Sequence, residues 1–341
     1  METEQLTEVV LPGVVSPDGL QLRTSAVPTP AEGQVLIRME ATGVSFAEQQ
    51  MRRGRYYDQP PYPFVPGYDL VGTIAEVGPD VDAKLVGQRV AALTKVGGWA
   101  SHVLVDAADV VPVPAGVDPA DAETVVVNGN TAWQMLHRKA KIKAGQTILV
   151  HGANGGVGST LVQLAAIAGV KVIGTASPRH HERLRELGVT PIDYHADVPA
   201  EVRRIAPNGV DAVFDHLGIS SVPASWRLLA PGGTLVAYGT ATTLDDTGSK
   251  QLPVLKIVGR ILLWNTLPNG RHAYFYNIWA GRNRAERFRA HLREDLTNVL
   301  QAMADGRITA QVAARFPLTQ AAEALQLAES GSVNGKIVLD A

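Results

Sequence analysis

The sequence predicts an α/β protein built from a mostly β domain and a doubly wound, six-stranded parallel sheet. Three observations carry this. Residues 1–125 are rich in Val, Gly and Pro, with short strand-like runs separated by turn signals. From Thr131 the rhythm changes to strand-like runs alternating with helical patterns, as crossover units require. At the head of that region stands Thr147-Ile-Leu-Val-His151-Gly-Ala-Asn-Gly-Gly-Val-Gly158-Ser159. There an apolar run ends in glycines and then places Val157, Leu161, Leu164, Ala165 and Ala168 along one helix face.

Length and composition set the outer bounds. At 341 residues the chain is long enough for a full core and for two domains. Apolar residues make up 45% and charged residues 19%, an ordinary globular balance. A net charge of −2 supplies no global field for nucleic acid or an anionic membrane surface, so neither is expected as a partner. The absence of cysteine excludes disulfides, a thiolate zinc site and a cysteine nucleophile together. The start, Met1-Glu-Thr-Glu-Gln5, is acidic and polar, unlike a signal peptide. No apolar run approaches the roughly 20 residues of a membrane span. The expectation is a soluble, cytoplasmic protein.

Taken in order, the first strand runs are 35–39, 70–77 and 89–92, set off by Pro30-Ala-Glu-Gly33, Val77-Gly-Pro79 and Pro112-Val-Pro114. Residues 131–139 read as a helix. After Lys143-Ala-Gly145 the expected strands are 147–151, 170–174, a short one near Ile192, 210–215, 234–239 and 260–264. Helical patterns lie between them, such as Val222, Trp226 and Leu229 at i, i+4 and i+7. Beyond residue 267 come polar helices, with Phe275, Tyr276 and Trp279 in one of them. A helix over 318–329 follows, with Thr319 as a candidate cap, and the run 336–339 forms a closing strand. There is no internal repeat and no low-complexity linker. The predicted organisation places 1–125 and 267–341 in one domain and 126–266 in the inserted sheet domain.

A buried strand, a glycine turn and a helix N-terminus together suit a dinucleotide pyrophosphate. Backbone N–H groups and the positive end of the helix dipole face the anion, and glycine lets the backbone come close. Ala153 stands where the first glycine of G-x-G-x-x-G would be, and Gly155 and Gly158 hold the second and third positions. Ala153, Asn154, Gly155, Gly156, Val157 and Gly158 are the candidate cradle.

The end of the next strand bears on which dinucleotide binds. An NAD-binding unit holds the ribose 2′-OH with Asp or Glu about 20 residues beyond the glycines. Here the sequence runs Val172-Ile-Gly-Thr-Ala-Ser177-Pro-Arg179-His180-His181, without a carboxylate. Ser177 can donate to a 2′-phosphate and Arg179 can pair with it, with His180 beside them. The plain alternative is a solvated helix start with ordinary surface charges. The expected cofactor is NADPH.

Further motifs are spread over nearly the whole chain. They are Gly43-Val-Ser-Phe-Ala-Glu48, Arg53-Gly-Arg-Tyr56, Pro63-Phe-Val-Pro-Gly-Tyr-Asp69, Gly97-Gly-Trp-Ala100 and Asn130-Thr-Ala-Trp133. Lys143-Ala-Gly-Gln146, the glycine turn with Gln163-Leu-Ala165, Gly232-Gly233 with Gly239, Phe316-Pro-Leu318 and Gly335-Lys-Ile-Val-Leu339 follow. Together they resemble the zinc-free branch of the medium-chain dehydrogenase/reductases, the quinone oxidoreductase-like proteins. The resemblance implies a GroES-like domain, a Rossmann domain, NADPH in a cleft between them, and homodimers. Zinc-dependent relatives carry Cys and Gly-His-Glu where this chain has Ser45 and Gly67-Tyr68-Asp69, so no catalytic zinc is expected. Of the nine histidines, His180-His181 reads as a surface pair. His102, His151 and His216 read as structural, with His151 at a strand end beside the expected cofactor site.

The resemblance also assigns candidate site residues. Tyr56 matches a tyrosine that serves as a suggested proton donor in enoyl thioester reductase relatives. A phenol can donate to an enolate or hold a carbonyl; the alternative is an exposed loop aromatic or a packed lid residue. Tyr57 is a lesser candidate. Ser45 replaces a family asparagine near nicotinamide and substrate, with one donor and shorter reach, or it is simply a buried turn serine. Tyr68, at the former zinc-ligand position, should line the cleft floor, and Asp69 should pair within its domain. Arg52, Arg53 and Arg55 are either a solvated face or an attractor for an anionic substrate such as a CoA thioester. Thr131 matches a threonine that contacts the nicotinamide carboxamide, with Asn130 beside it; Thr131 also suits an N-cap. Tyr194 matches a tyrosine that stacks near the 2′-phosphate. Gly239 and Thr240 should face the nicotinamide half. Lys336 either reaches the cofactor or lies exposed. Phe275, Tyr276 and Trp279 suit a substrate wall or a dimer contact.

Without zinc as a Lewis acid, alcohol oxidation loses its main means of stabilising an alkoxide. Hydride addition to an activated C=C or a quinone remains feasible, because the substrate carbonyl takes the developing charge and hydrogen-bond donors stabilise it. The expected function is a zinc-independent, NADPH-dependent oxidoreductase that reduces a quinone or an α,β-unsaturated carbonyl compound, with Tyr56 or water supplying the proton. Two alternatives stay open: an enoyl thioester reductase of polyketide or fatty-acid metabolism, and a non-catalytic NADPH-binding redox sensor.

Overall fold

The apolar runs beyond residue 146 pair edge to edge as six parallel strands. Their spatial order is Val189–Asp193, Lys171–Ala176, Thr147–Val150, Val210–Asp215, Leu229–Ala237 and His272–Phe275. Leu149, Ile173, Val213 and Leu235 are buried at the centre of this sheet. Such continuous Val/Ile/Leu runs are what a parallel sheet covered by helices on both faces needs. Strand order reverses between Thr147–Val150 and Val210–Asp215, and the carboxyl ends of strands at such a switch point form a ligand crevice.

The computed structural model describes residues 5–243 and 248–341; the acidic start at 1–4 lies outside them. The chain divides into two compact units, Thr131–Arg282 and Met1–Asn130 with Asn283–Ala341.

Some expected elements differ. The run 260–264 is the end of a helix, Leu252–Trp264, and not a strand. Ile257 and Ile261, one turn apart, are its buried positions, so the apolar run is half of an amphipathic helix. The sixth strand is His272–Phe275, and Phe275 therefore ends a strand instead of lying in a polar helix. The helix expected from Thr131 begins at Val126 and runs to Trp133. Over Gln134–Lys139 it widens, and Ala140 N–H reaches back five residues to Met135 O at 2.9 Å. The helix carrying Val222 and Trp226 stops at Arg227, which puts Leu229 in the next strand. Near the C-terminus a short turn, Leu318–Gln320, precedes the helix Ala321–Glu329, so Thr319 does not cap it.

The other unit is built on a seven-stranded sheet. Its order is Val312–Pro317, Lys336–Asp340, Gln34–Val44, Asp69–Val77, Arg89–Leu93 and Val110–Pro112, with His102–Asp106 also paired to Gln34–Val44. Val35, Ile37, Met39, Leu70, Ile74 and Trp99 form its core. The buried Trp99 ring satisfies its one polar atom by donating to Gly43 O at 2.9 Å. The buried strand Gln34–Val44 leads directly to Ser45.

Candidate active site

The glycine turn is shaped by three glycines with different tasks. Gly152 takes a left-handed φ of +63° and turns the chain off the strand Thr147–Val150. Gly158 permits close approach: a β-carbon there would lie 2.1 Å from Gly152 O. Gly155 sits exposed at the N-cap of the helix Gly156–Ile167, where its N–H donates to Gly152 O at 3.0 Å. No acidic residue occupies the first turn and no side chain caps it. The N–H groups of Gly156, Val157 and Gly158 therefore suit an anion. Gly152 lies outside the G-x-G-x-x-G fingerprint, because the left-handed residue comes one position before the fingerprint's first glycine position.

Ala153 in that position is accommodated by the neighbouring strand. A β-carbon at Gly174 would fall 2.6 Å from the Ala153 β-carbon, so the glycine has moved across the sheet. Thr175 next to it accepts the Gly152 N–H at 3.1 Å through its hydroxyl and the Ala153 N–H at 3.0 Å through its carbonyl. Asn154 is half-buried between Ala153 and Gly155.

Ser177, Arg179, His180 and Tyr194 come together at the carboxyl ends of Lys171–Ala176 and Val189–Asp193. Arg179 Nε donates to His180 Nε2 at 3.0 Å, and Tyr194 N–H donates to Ala176 O at 3.3 Å. Burial lowers the His180 pKa, and the charges of Arg179 and His181 lower it further. The Tyr194 ring is 54% exposed and packs on His195 with centroids 4.0 Å apart. A carboxylate absent from the second strand, Asp193, lies opposite Ala176 at this end. Its Oδ1 accepts the His195 N–H at 3.0 Å.

On the other side of the switch point, Asp215 is buried and fully satisfied. It accepts from Ser221 Oγ at 2.7 Å, Ser225 Oγ at 2.7 Å and the Leu217 N–H at 2.9 Å. His151 is held by Ser225 Oγ at 3.2 Å and Thr175 Oγ1 at 3.4 Å. Burial lowers its pKa against the pull of Asp215. His216 lies against Gly152, and its pKa is pushed down to about 4, chiefly by burial. Gly239 and Thr240 pack on this loop: a β-carbon at 239 would lie 2.7 Å from His216 O. Thr131 is buried inside the helix Val126–Trp133, so it is not the N-cap it was expected to suit. Tyr276, expected at a substrate wall or dimer contact, is buried and donates to Gln134 Oε1 at 2.9 Å.

In the seven-stranded unit, Ser45 ends the long strand and caps the helix Phe46–Arg52. Its N–H donates to Glu48 Oε2 at 2.9 Å and its hydroxyl donates to the same oxygen. Glu48 is buried, and burial together with the negative charge of Asp69 raises its pKa. Asn130 is buried and donates to Leu292 O at 3.2 Å. Arg52 binds Glu329 through two hydrogen bonds of 2.7 Å, and Arg53 Nη2 joins at 3.1 Å. Two members of the basic run are thus engaged within the unit.

Tyr56 is no exposed loop aromatic: at 4% exposure it is buried, and its hydroxyl meets the Tyr68 hydroxyl at 3.0 Å. The Tyr57 ring lies 5.0 Å from that of Tyr56. Burial pushes both the Tyr56 and Tyr57 phenols well above the ordinary value.

Lys336 is neither exposed nor free to extend. Its Nζ donates to Asp69 Oδ1 at 3.0 Å and Oδ2 at 2.8 Å, and stands 2.5 Å from Glu123 Oε1. Burial pulls its pKa down, but Asp69 and Glu123 outweigh that and raise it. The Glu123 oxygens lie in no well-formed hydrogen bond, so charge and not direction holds that contact. Gly43 makes the room, since a β-carbon there would fall 2.2 Å from Lys336 Cε. A role for Lys336 at the cofactor is therefore not supported by its placement. The Ser45-Phe-Ala-Glu48 spacing is a capping-box signal that marks Glu48 locally, whereas nothing local in the sequence marks Glu123, whose partner Lys336 is brought to it by the fold.

Ser45, Tyr68 and Asp69 do not make a zinc site. Asp69 is committed to Lys336 and to the Val127 N–H at 2.8 Å, and serine and tyrosine replace the strong ligands. Among the described residues no group of three or more His, Cys, Asp or Glu is placed to hold a metal.

Comparison with known proteins matches residues 31–115 to the alcohol dehydrogenase GroES-like domain and 187–339 to the zinc-binding dehydrogenase family. The human synaptic vesicle membrane protein VAT-1 homolog is 40% identical over 68% of this chain and 59% of that protein. The chain thus spans less than two thirds of that relative. The Danio rerio VAT-1 homolog is 31% identical over 97% of the chain and 69% of that protein. Among solved structures, a mycobacterial quinone oxidoreductase superposes with a TM-score of 0.81 at 29% identity, covering 98% of this chain and 100% of that one. A mycobacterial protein in complex with NADPH gives 0.83 at 28%, covering 98% and 100%. The CurK enoyl reductase gives 0.83 at 26%, covering 99% of each.

Proposed function

Because this chain belongs to the zinc-free, quinone oxidoreductase-like branch of the medium-chain dehydrogenase/reductase family, we propose that it is an NADPH-dependent reductase of quinones or α,β-unsaturated carbonyl compounds. The observation that carries the cofactor reading is the cleared cradle: Gly158 has no room for a β-carbon, and the helix start beside it is uncapped by any side chain. Gly156, Val157 and Gly158 would hold the pyrophosphate through backbone N–H groups, with Gly155 leaving the approach clear. Ser177, Arg179, His180 and Tyr194 would surround the 2′-phosphate, where Asp193 is already engaged with the His195 N–H. Gly239, Thr240, Thr131 and Asn130 are proposed for the nicotinamide half. The bound cofactor supplies a hydride.

The chain's own task is then to orient the acceptor carbonyl and provide a proton. Tyr56 and Tyr68 are proposed for this: their hydroxyls meet at 3.0 Å, and the neutral Tyr56 phenol, whose pKa burial raises, remains a donor throughout the physiological range. Ser45 is a weaker candidate, since its hydroxyl already donates a hydrogen bond to Glu48. A narrower reading, an enoyl thioester reductase, draws support from the likeness to CurK. We further propose a homodimer and a cytoplasmic location. No described helix is long and apolar enough to cross a membrane, while the relatives are named as vesicle membrane proteins; fractionation of cells tests the location.

The test of function follows NADPH absorbance against quinones, enones and enoyl thioesters, with a binding titration alongside. Turnover of at least one class is expected. Tight NADPH binding without oxidation across the panel would replace this reading with a non-catalytic redox sensor. Turnover of enoyl thioesters alone would narrow it to the thioester reductase.

A further inference from the structure

Tyr57, Tyr56 and Tyr68 form a graded series. Tyr57 is half-buried and precedes the exposed Asp58, whereas Tyr56 and Tyr68 are 4% and 5% exposed. The hydroxyls of Tyr56 and Tyr68 are 3.0 Å apart, and the Tyr57 ring lies against that of Tyr56 with centroids 5.0 Å apart. At the outer end Asp58 is tied to Lys95 at 2.5 Å, which keeps a carboxylate beside Tyr57. We propose that these three phenols are a proton relay from solvent to the substrate oxygen, with Tyr68 delivering the proton. This rests on the reductase reading above.

The physical reason is the cost of a lone donor. Burial holds the Tyr56 phenol far above its ordinary pKa, and Tyr68 and Asp58 push it further in the same direction. A single buried phenol that gave up its proton would be left as a phenolate in surroundings that oppose it. In a chain, each oxygen releases one proton as it receives another, so every phenol ends neutral and cooperative polarisation assists the transfer. On hydride addition to the β-carbon, the C=C electron pair moves to give an enolate. The Tyr68 O–H bond breaks as the enolate O–H bond forms. The Tyr56 proton passes to the Tyr68 oxygen, the Tyr57 proton to Tyr56, and a solvent proton to Tyr57. The enol then tautomerises to the saturated carbonyl. With a quinone, the same proton forms the first hydroquinone hydroxyl. The balance is one hydride from the cofactor and one proton from water.

Phenylalanine at each position keeps the ring and removes only the hydroxyl. In single-turnover NADPH oxidation with an acceptor the wild type reduces, Tyr68→Phe and Tyr56→Phe should each slow the rate roughly 100-fold, and Tyr57→Phe about tenfold. The Tyr57→Phe/Tyr56→Phe double variant should be no slower than Tyr56→Phe alone. In mixtures of H2O and D2O the wild-type rate should curve with deuterium fraction, since more than one proton is in flight; Tyr57→Phe should reduce the curvature and Tyr56→Phe should make the dependence linear. A structural role for these rings would not move that isotope signature. A Tyr57→Phe rate equal to wild type, or a linear wild-type dependence, overturns the relay and leaves the reductase reading standing. No turnover of any acceptor by the wild type overturns both.

Discussion

Lys336 and Asp69, 267 positions apart in the chain, meet inside the seven-stranded unit with Nζ 2.8 Å from Oδ2. Three buried carboxyl groups, Glu48, Asp69 and Glu123, gather around that one ammonium. Burial and the charge on Asp69 raise the Glu123 pKa, with Lys336 acting in the opposite direction. Removing the ammonium leaves buried negative charge without its partner. Lys336→Met should therefore cost about 3–5 kcal/mol in a denaturant titration. Adding Asp69→Asn should recover part of that loss. A Lys336→Met protein as stable as wild type would show that the carboxyls are held neutral without it.

The glycine missing from the turn has a partner that can be tested by exchange. Gly174→Ala should cost roughly 1–3 kcal/mol, because its β-carbon would lie 2.6 Å from the Ala153 β-carbon and 2.8 Å from Val189 Cγ1. Ala153→Gly in the same chain should restore part of the loss, giving a coupling of about 0.5–3 kcal/mol in a double-mutant cycle. Strict additivity would mean that Val189 alone sets the cost.

The contrast between these two sites shows what the sequence could and could not convey. The strand 147–150, its turn and the helix after it are local signals, and apolar periodicity placed them within a residue or two. The run at 260–264 was ambiguous because an apolar stretch that short suits a strand or half of an amphipathic helix, and burial of Ile257 and Ile261 decides for the helix. Motifs mark Tyr56, Tyr68 and Ser45 as candidates, but they do not mark the partners that Tyr56 and Tyr68 meet in the fold. That Glu48 holds Ser45 is a local capping-box contact, whereas Lys336 turns inward to Asp69 and Glu123 through contacts between elements far apart in the chain. Gly174 was invisible for the same reason: its need for a bare backbone is set by a residue on the neighbouring element.

His216 should give the protein an acid-sensitive component of stability. Burial is the main cause of its pKa falling from 6.5 to about 4, with His151 adding and Asp215 opposing. Between those values the unfolded chain binds a proton that the folded chain refuses. The contribution is complete above pH 6.5 and is lost as pH falls toward 4. Glu48 and Glu123, whose pKa values are raised in the fold, act with the opposite sign, so the informative quantity is a difference between proteins. Thermal or urea unfolding of wild type and His216→Asn should show the wild type losing more stability across this window, by up to about 1.4 kcal/mol per pH unit. Parallel curves would mean that His216 titrates normally.

Cofactor choice should respond to the strand end. Ser177→Asp or Arg179→Glu puts a carboxylate where a 2′-phosphate is proposed to lie, repelling it while accepting from a free 2′-OH. The ratio of NADPH to NADH affinity should fall by at least tenfold, equivalent to about 1.4 kcal/mol. Titration of both nucleotides against both variants checks this, and an unchanged ratio in each would remove the two residues from the 2′-phosphate site.

Leu255, Leu262 and Leu263 are 63%, 65% and 63% exposed on the helix Leu252–Trp264, whose buried face carries Ile257 and Ile261. The sheet in the same unit ends on His272–Phe275, which has one neighbouring strand among the described residues. An apolar stripe and an open strand edge are both costly to leave in water, and a second copy of the chain would cover both by a two-fold operation. Burying a leucine contributes about 1.5–3 kcal/mol, and the two-fold places every substitution in the interface twice. Leu255→Glu combined with Leu262→Glu should therefore weaken the proposed homodimer by several orders of magnitude. Sedimentation velocity should show a wild-type dimer and a folded monomeric variant at the same protein concentration. A monomeric wild type, or a variant that remains dimeric, would rule out this face as the dimer contact.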